Sequence, residues 1–309
     1  MKQKLFNFFI VIICLFFLGE LIINKNMIFD VVYYSLDIWV KSLIPSLFPF
    51  FVISDILINY NVTSYIPKFI KKFFRWIFNT EDNVITIFFL SLLSGFPMGA
   101  RNIRTYYDNG LITSEVGNKA LVFTHFANPV FVITILGSIF LGDVRLGYII
   151  LLSLYISNII LGILVRGNDS HNDCNITTFK SQSFGVLFIN SIKRSIDTLF
   201  LILGILTCFL IMASIFINLL NINGYNAVII KGIMEITMGL KDLGMCNISD
   251  LYKVVIGSFF VTFGGISVHM QVISQIINTN IKYKYFLMGR IIGSMLAIII
   301  SYILYLVIM

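Results

Sequence analysis

Apolar runs follow one another along nearly the whole chain and are separated by short polar segments. A helix needs about 20 apolar residues to cross a bilayer, and on that scale the chain has about eight hydrophobic passages. Hydrophobic residues make up 58% of the chain and charged residues 12%, which excludes an ordinary soluble domain. The sequence therefore predicts an all-α polytopic membrane protein. Four apolar runs are short or interrupted, and they span residues 84–93, 121–141, 228–240 and 254–277.

Basic residues lie mainly in the short segments between the apolar runs. The net charge of +7 therefore indicates a membrane protein that follows the positive-inside rule rather than a protein that binds nucleic acid. The first run, 5–23, follows Lys2 and Lys4 without a small-residue cleavage site, which predicts a retained span rather than a signal peptide. The segment "KFIKKFFRW" (68–76) mixes basic and aromatic residues, as an interfacial helix does. We expect this segment and the N-terminus to lie on the cytoplasmic side of a cell membrane.

The interruptions recur in the same order in two halves of the chain. "GFPMGA" and "EITMGL" share Met-Gly at 98–99 and 238–239, and "LVFTHFANPVFVI" (121–133) aligns with "FVTFGGISVHMQVI" (260–273). Interrupted segments at corresponding positions of two halves predict broken or re-entrant helices around a transporter-like central site. The residues assigned to these breaks are Gly95, Pro97, Gly99, Pro129, Gly239, Gly264 and Gly265.

The breaks expose backbone groups that a continuous helix would satisfy. In hydrocarbon such a break is tolerated only where it is buried in protein or faces water. Proline removes a hydrogen-bond donor, and glycine allows conformations that larger residues avoid. The N-terminal amides of a half-helix favour acceptors or anions, and its freed carbonyls favour donors or cations. The stretch 94–104 therefore predicts a half-helix end rather than a full crossing.

Polar side chains accompany the interruptions and form the candidate site. Hydroxyl, imidazole and amide groups offer the hydrogen bonds that a neutral sugar or base needs. They would equally well satisfy freed backbone groups or hold helices together. We interpret Glu235, in an otherwise apolar run, as a site or proton-coupling group, with an ion pair to Lys231 as the alternative. The candidate substrate-binding residues are Thr124, His125, Asn128, Glu235, Ser267, His269 and Gln271.

Four further charged residues have simpler interpretations. Asp55 is expected near the end of its span, where it would snorkel or sit at an interface. Arg101 and Arg104 follow a helix break three residues apart, which favours headgroup anchoring over anion binding. Arg290 stands between Gly289 and Gly293, a GxxxG spacing that predicts close helix packing near the interface.

The stretch "SGFPMGARNIRTYYDNGLITSEVGNKALVFTHFANPVFVI", with "EITMGLKDL" and "FGGISVHMQV" later in the chain, resembles the YlbJ-type sporulation integral membrane proteins of endospore-forming bacteria. The resemblance extends from about residue 43 to residue 277. It implies a polytopic protein of the developing spore, in a forespore or mother-cell membrane. It also implies kinship with nucleoside-recognition (Gate) domains and with the repeats of concentrative nucleoside transporters.

The predicted organisation is a single membrane domain over 1–309. Within it we place a Gate-like repeat at 35–141, a connecting span and polar loop at 142–189, a second repeat at 190–281 and a C-terminal span at 282–309. The expected partners are the lipid bilayer and an unidentified small solute, with a homo-oligomer or spore-envelope proteins as further options. The predicted function is handling of a small solute during endospore formation. A non-transporting scaffold and a general Gate-type transporter are the alternatives.

The sequence gives little support for catalysis. Ser267 and His269 are two residues apart, so on a helix they point in different directions and have no acidic partner within the motif. No metalloprotease, serine-hydrolase or phosphate-loop motif occurs. The four cysteines show no CxxC spacing, so neither a disulfide framework nor a zinc site is predicted. We therefore expect a protein that is not an enzyme and that holds no cofactor or metal.

Overall fold

A computed structural model describes residues 2–167 and 183–309, and the ordered elements in these two ranges are helical. Cys174 and most of the predicted polar loop lie outside the described residues. The helices are α1 (Lys2–Ile23), α2 (Lys25–Ile38), α3 (Ile44–Asn59), α4 (Lys68–Phe78), α5 (Asp82–Ser94), α6 (Met98–Asp108), α7 (Ser114–Phe123), α8 (Val144–Leu164), α9 (Phe184–Leu219), α10 (Tyr225–Met234), α11 (Ile236–Met245), α12 (Asp250–Phe263), α13 (Gly265–Ile276) and α14 (Tyr283–Ile308). Trp39–Leu43 and Phe131–Phe140 are π-helical, and Val62–Tyr65 is a 3-10 turn.

The prediction of an all-α polytopic membrane protein is confirmed. Six helical stretches are long and apolar enough to cross a membrane, and Asp82–Ser94, Phe131–Phe140 and Tyr225–Met234 are shorter apolar helices. The six stretches are Gln3–Ile23, Lys25–Asn59, Val144–Leu164, Phe184–Leu219, Asp250–Ile276 and Tyr283–Ile308.

Two helical stretches extend well before the apolar runs that the sequence shows. The apolar run at 43–58 predicts a span there, but it is the end of the helical stretch Lys25–Asn59. The apolar run at 199–220 likewise predicts a span, but it is the end of α9. Charged residues such as Asp37 and Arg194 lower the hydropathy of the preceding turns without ending the helix. Within α9 the hydroxyl of Thr198 donates to the carbonyl of Arg194 at 2.8 Å, which satisfies a polar side chain inside the helix.

The helices break within all four predicted segments, but the break in 228–240 falls at Glu235, and the assigned residue Gly239 lies inside α11. α5 ends at Ser94 before α6 begins at Met98, and α7 ends at Phe123 before the π-helical segment begins at Phe131. In the second half, only Glu235 separates α10 from α11, and only Gly264 separates α12 from α13. Gly264 has φ +89°, a conformation that favours glycine.

The first break of each half folds the chain back on itself. α5 packs against α6, and α10 packs against α11. The second hairpin closes so tightly that a Cβ on Gly239 would lie 2.2 Å from the Cα of Gly232. Residues seven apart in a continuous helix would be about 10 Å apart along its axis, so α10 and α11 form a re-entrant hairpin.

Each hairpin tip lies against the broken helix of its own half. A Cβ on Gly95 would lie 2.6 Å from the backbone nitrogen of Asn128, and a Cβ on Gly265 would lie 3.2 Å from that of Ile236. The halves also exchange contacts, because α6 packs on α13 while α11 packs on Phe131–Phe140. This reciprocal packing gives the two halves equivalent places in the fold.

The remaining helices frame this centre. α14 packs along α8 and α12 and touches α7, whereas α9 packs against α2 and α3 at the other side of the hairpins. α1 contacts α2 and buries none of its span, so its apolar side chains are available to lipid. The predicted start of the second repeat at 190 falls inside α9.

Candidate functional site

A cavity lies where the two hairpin tips and the two broken helices meet. It is lined by residues from both halves together with Trp39–Asn59 and α9. Its volume is about 60 Å³, which at roughly 10–15 Å³ for each water holds only a few water molecules. The lining residues are Leu43, Ser46, Leu47, Phe96, Ala127, Asn128, Phe131, Ile202, Leu206, Glu235, Ile236, Thr237, Val268 and Gln271.

Glu235 occupies the tip of the second hairpin and caps the helix that follows it. One carboxylate oxygen accepts from the backbone nitrogens of Thr237 at 2.9 Å and Met238 at 3.0 Å, and the other accepts from the Thr237 hydroxyl at 3.1 Å. These bonds satisfy amides that the start of α11 would leave free. The alternative ion pair is absent, because Lys231 pairs with Asp242.

Asn128 caps a half-helix at the second break of the first half. Its side-chain oxygen accepts from the backbone nitrogens of Val130 at 2.8 Å and Phe131 at 3.2 Å, at the start of the second half-helix. Its amide nitrogen donates to the carbonyl of Ser46 at 3.2 Å and to the end of α5, with the Ser94 carbonyl at 3.4 Å. Asn128 therefore joins the hairpin tip, the broken helix and α3 at one point.

Gln271 is the polar group in the cavity with spare hydrogen-bonding capacity. Its side chain is 5% exposed, and its amide makes no hydrogen bond to any residue that the structure describes. A primary amide carries two donors and an acceptor, so a bound molecule can be recognised there. Sequence reasoning missed Ser46 and Thr237, which also line the cavity, because neither stands out in its apolar run.

Four of the predicted site residues lie beside the cavity and do not line it. Thr124 donates to the carbonyl of Ala120 at 2.8 Å, and Ser267 is fully buried without a hydrogen-bond partner. His125 and His269 both contact the Phe286 ring, with ring centroids 4.7 and 4.9 Å from it.

The two histidines differ in their partners. The nitrogens of His269 contact the Tyr283 hydroxyl at 2.7 Å and the Phe263 carbonyl at 3.1 Å. Neither ring nitrogen of His125 has a partner among the described residues, and its ring stacks on Phe96 at 5.0 Å. The two breaks therefore do come together, but through an aromatic contact rather than through a shared polar surface.

The interpretations of Asp55 and Arg101 were wrong. Asp55 is 1% exposed and therefore does not snorkel, and its carboxylate accepts from Arg101 at 2.8 Å. The Arg101 guanidinium also lies 5.1 Å from the centre of the Phe51 ring. The pair joins α3 to the second arm of the first hairpin, so Arg101 is not a headgroup anchor.

Arg104 is partly exposed, whereas Arg290 is buried. Arg104 pairs with Asp108 and donates to the carbonyl of Ile277 at 2.6 Å, just beyond the end of α13. The expected close packing of α14 is present, since a Cβ on Gly289 would lie 2.6 Å from the Val122 carbonyl. The side chain of Arg290 is fully buried within the protein.

A second cavity lies next to the first and is open to the outside. It has a volume of about 650 Å³ and lies between α2, the end of α9 and the second hairpin, with Asp30, Asn218 and Lys231 among its polar groups. We call it the vestibule. A cluster of apolar residues separates it from the central cavity, and this barrier consists of Val31, Tyr34, Leu43, Leu206, Leu210, Ile211 and Met238.

Comparison with known proteins agrees with this architecture. Residues 40–166 match the Gate family model, described as nucleoside recognition. The chain is 23% identical over 325 residues to the sporulation integral membrane protein YlbJ of Bacillus subtilis (strain 168), covering 92% of this chain and 79% of that protein. No solved structure matches the chain. This multi-span membrane protein is therefore similar to the Gate family over residues 40–166 and, along most of its length, to a sporulation integral membrane protein.

Proposed function

We propose that this protein moves a small solute across a membrane of the developing spore. The observation that carries the proposal is the central cavity, since both hairpin tips and both broken helices contribute to its wall. Broken helices at corresponding positions of two repeats characterise the substrate sites of secondary transporters. The sporulation role rests on the similarity to YlbJ. Transport rather than catalysis is proposed.

The cavity as observed represents a closed state. A volume of about 60 Å³ is far below the roughly 300–1,000 Å³ of small-molecule sites. A solute would therefore enter only after a hairpin moves. Gln271 would bind it through the free amide, while the rings of Phe96 and Phe131 would cover its apolar surface.

The second hairpin is the element we propose to move. Its residue Met238 forms part of the barrier, and its tip residue Glu235 lines the central cavity. A displacement of α10 and α11 away from α9 would join the vestibule to the central cavity. The connection from α9 to α10 contains Asn221 and Gly224 at positive φ, a short irregular link on which the hairpin would turn.

The experiment is complementation of a deletion strain in the native host, scored by heat-resistant spores. We expect Gln271→Leu to abolish complementation, because it removes the free amide at nearly constant size. The matched control is Gln275→Leu, one turn further along α13 and outside the cavity lining. Immunoblots of membrane fractions would show that both variants are inserted at the wild-type level.

Each outcome distinguishes the proposal from its alternatives. Normal spores with Gln271→Leu would contradict a solute site here and favour a scaffold that binds spore-envelope proteins through its loops. Normal spores after deletion of the gene would remove the sporulation role and leave a general Gate-type transporter. Uptake into proteoliposomes would then be tested first with tritiated uridine, because the matched domain is described as nucleoside recognition.

A further inference from the structure

The deepest charged group in the protein lies outside the cavity and joins the two repeats. Arg290 on α14 is fully buried, and it is the largest of the fully buried side chains among the described residues. A buried guanidinium is costly unless it is paired and hydrogen-bonded. None of the ion pairs between described residues involves Arg290. Its charge is therefore balanced by something other than a carboxylate.

The partners of Arg290 are the carbonyl ends of the two broken helices. One terminal nitrogen donates to the Val122 carbonyl at 2.8 Å, and the other donates to the carbonyls of His125 at 3.2 Å and Thr262 at 3.3 Å. Val122 lies in the last turn of α7, His125 in the break after it, and Thr262 in the last turn of α12. Arg290 thus binds both halves at the same place in each repeat.

A single side chain completes this arrangement. The side-chain oxygen of Asn158 on α8 accepts from Arg290 at 2.8 Å, while its amide nitrogen donates to the His125 carbonyl at 3.1 Å. Asn158 is itself fully buried. It therefore fixes the position of the guanidinium and shares one of its acceptors.

The electrostatic balance follows from the helix dipoles. The C-terminus of a helix carries roughly half a negative charge, from carbonyls that lack an intrahelical partner. Two such ends converge on Arg290, so together they supply about one negative charge to the guanidinium. In broken-helix transporters, unwound carbonyls and half-helix C-termini are the groups that coordinate a coupling cation.

We propose that Arg290 is a resident cation, which occupies the carbonyl site that a bound alkali cation would otherwise fill. The two broken helices are then closed by the protein's own charge. This inference rests on the proposed function only in treating those helices as part of a transport site. Because the protein's own charge already satisfies the carbonyl ends of α7 and α12, the proposal predicts that the protein is not stabilised by bound Na⁺, Li⁺ or K⁺ at any site.

The first test uses the full-length wild-type chain in nanodiscs. Thermal unfolding is followed by the fluorescence of Trp39 and Trp76 in NaCl, LiCl, KCl and choline chloride at equal ionic strength. We expect the same melting midpoint in all four salts. A saturable increase in Na⁺ or Li⁺ over choline would overturn the proposal, because it would show an alkali-cation site in the protein.

The second test asks whether the positive charge of Arg290 matters. Arg290→Lys keeps the charge and Arg290→Gln removes it, so we expect the lysine variant to melt between the wild type and the glutamine variant. Equal midpoints for the two variants would overturn the role of the charge. Arg145→Gln, at an exposed arginine paired with Asp143, is the control.

These tests are separate from the tests of transport. The wild-type salt series needs no variant, so it decides the question even if the Arg290 variants fail to fold. The melting curves need no solute, so a failed uptake or complementation assay leaves them unchanged. Conversely, an alkali-cation effect on the wild type would overturn the resident cation while leaving the central cavity as a candidate solute site.

Discussion

Breaking the buried ion pair between Asp55 and Arg101 should strongly destabilise the protein. The carboxylate is 1% exposed and the arginine side chain 6% exposed, at a separation of 2.8 Å. Asp55→Asn leaves a buried guanidinium without a counter-charge, which costs about 3–5 kcal/mol in comparable pairs.

The size of the effect makes it measurable in a membrane protein. A loss of about 3–5 kcal/mol is a change of roughly two to four orders of magnitude in the unfolding equilibrium. The assay is unfolding of the purified chain from mixed micelles by SDS, followed by tryptophan fluorescence. We expect Asp55→Asn and Arg101→Gln to lose this much stability, and we expect the double variant Asp55→Leu, Arg101→Met to lose less than either, because no buried charge remains.

An exposed pair supplies the control. Lys41 and Asp37 form an i,i+4 ion pair, and their side chains are 71% and 35% exposed. Solvent screens such pairs, so Asp37→Asn should change stability little. If Asp55→Asn were no more destabilising than Asp37→Asn, the argument that burial decides the energy of this pair would be wrong.

Three further predictions concern the hairpin, the barrier and the resident cation. Gly239→Ala should destabilise the protein by about 1–3 kcal/mol, because the new Cβ would lie 2.2 Å from the Cα of Gly232. The control Gly204→Ala, whose Cβ would meet nothing within 4 Å, should be neutral in the same SDS titration. Met238→Ala removes a barrier residue, so a cysteine placed at 237 should react faster with a water-soluble maleimide. The comparison uses a background without the native cysteines, and an unchanged rate would argue against the barrier. Asn158→Leu should cost about 1–3 kcal/mol, since Arg290 loses an acceptor, and wild-type unfolding of this variant would contradict the shared network.

The positions of the breaks were predictable from the sequence because their causes are local. Gly95, Pro97 and Gly264 change what the backbone can do within one turn, so the helices break at or beside these residues. In the segment 228–240 the break falls at Glu235 and not at the predicted Gly239. The breaks occur in the same order twice along the chain, which also predicted its division into two halves. Their folding into a re-entrant hairpin, shown by the contact of Gly232 with Gly239, depends on packing between turns and has no local signal.

The partners of the charged residues were not predictable from the sequence. Asp55 and Arg101 are 46 residues apart in the chain, and each alone resembles a residue at the end of a span. Glu235 was correctly singled out as unusual. Its capping of α11 depends on a sharp turn at one residue, which no pattern of apolar side chains specifies.

The last helix joins the two halves of the chain. α14 follows both predicted repeats, yet Phe286 contacts both break histidines and Arg290 binds the carbonyl ends of both broken helices. Gly289 lets the helix approach α7 closely enough for these contacts. The Arg290 guanidinium donates to both broken helices. A displacement of one helix therefore changes the hydrogen bonds of the group that also holds the other helix. Each repeat supplies a hairpin tip and a break to the cavity, while α14 couples the breaks to one another, so the cavity is a property of the joined halves and not of either repeat alone.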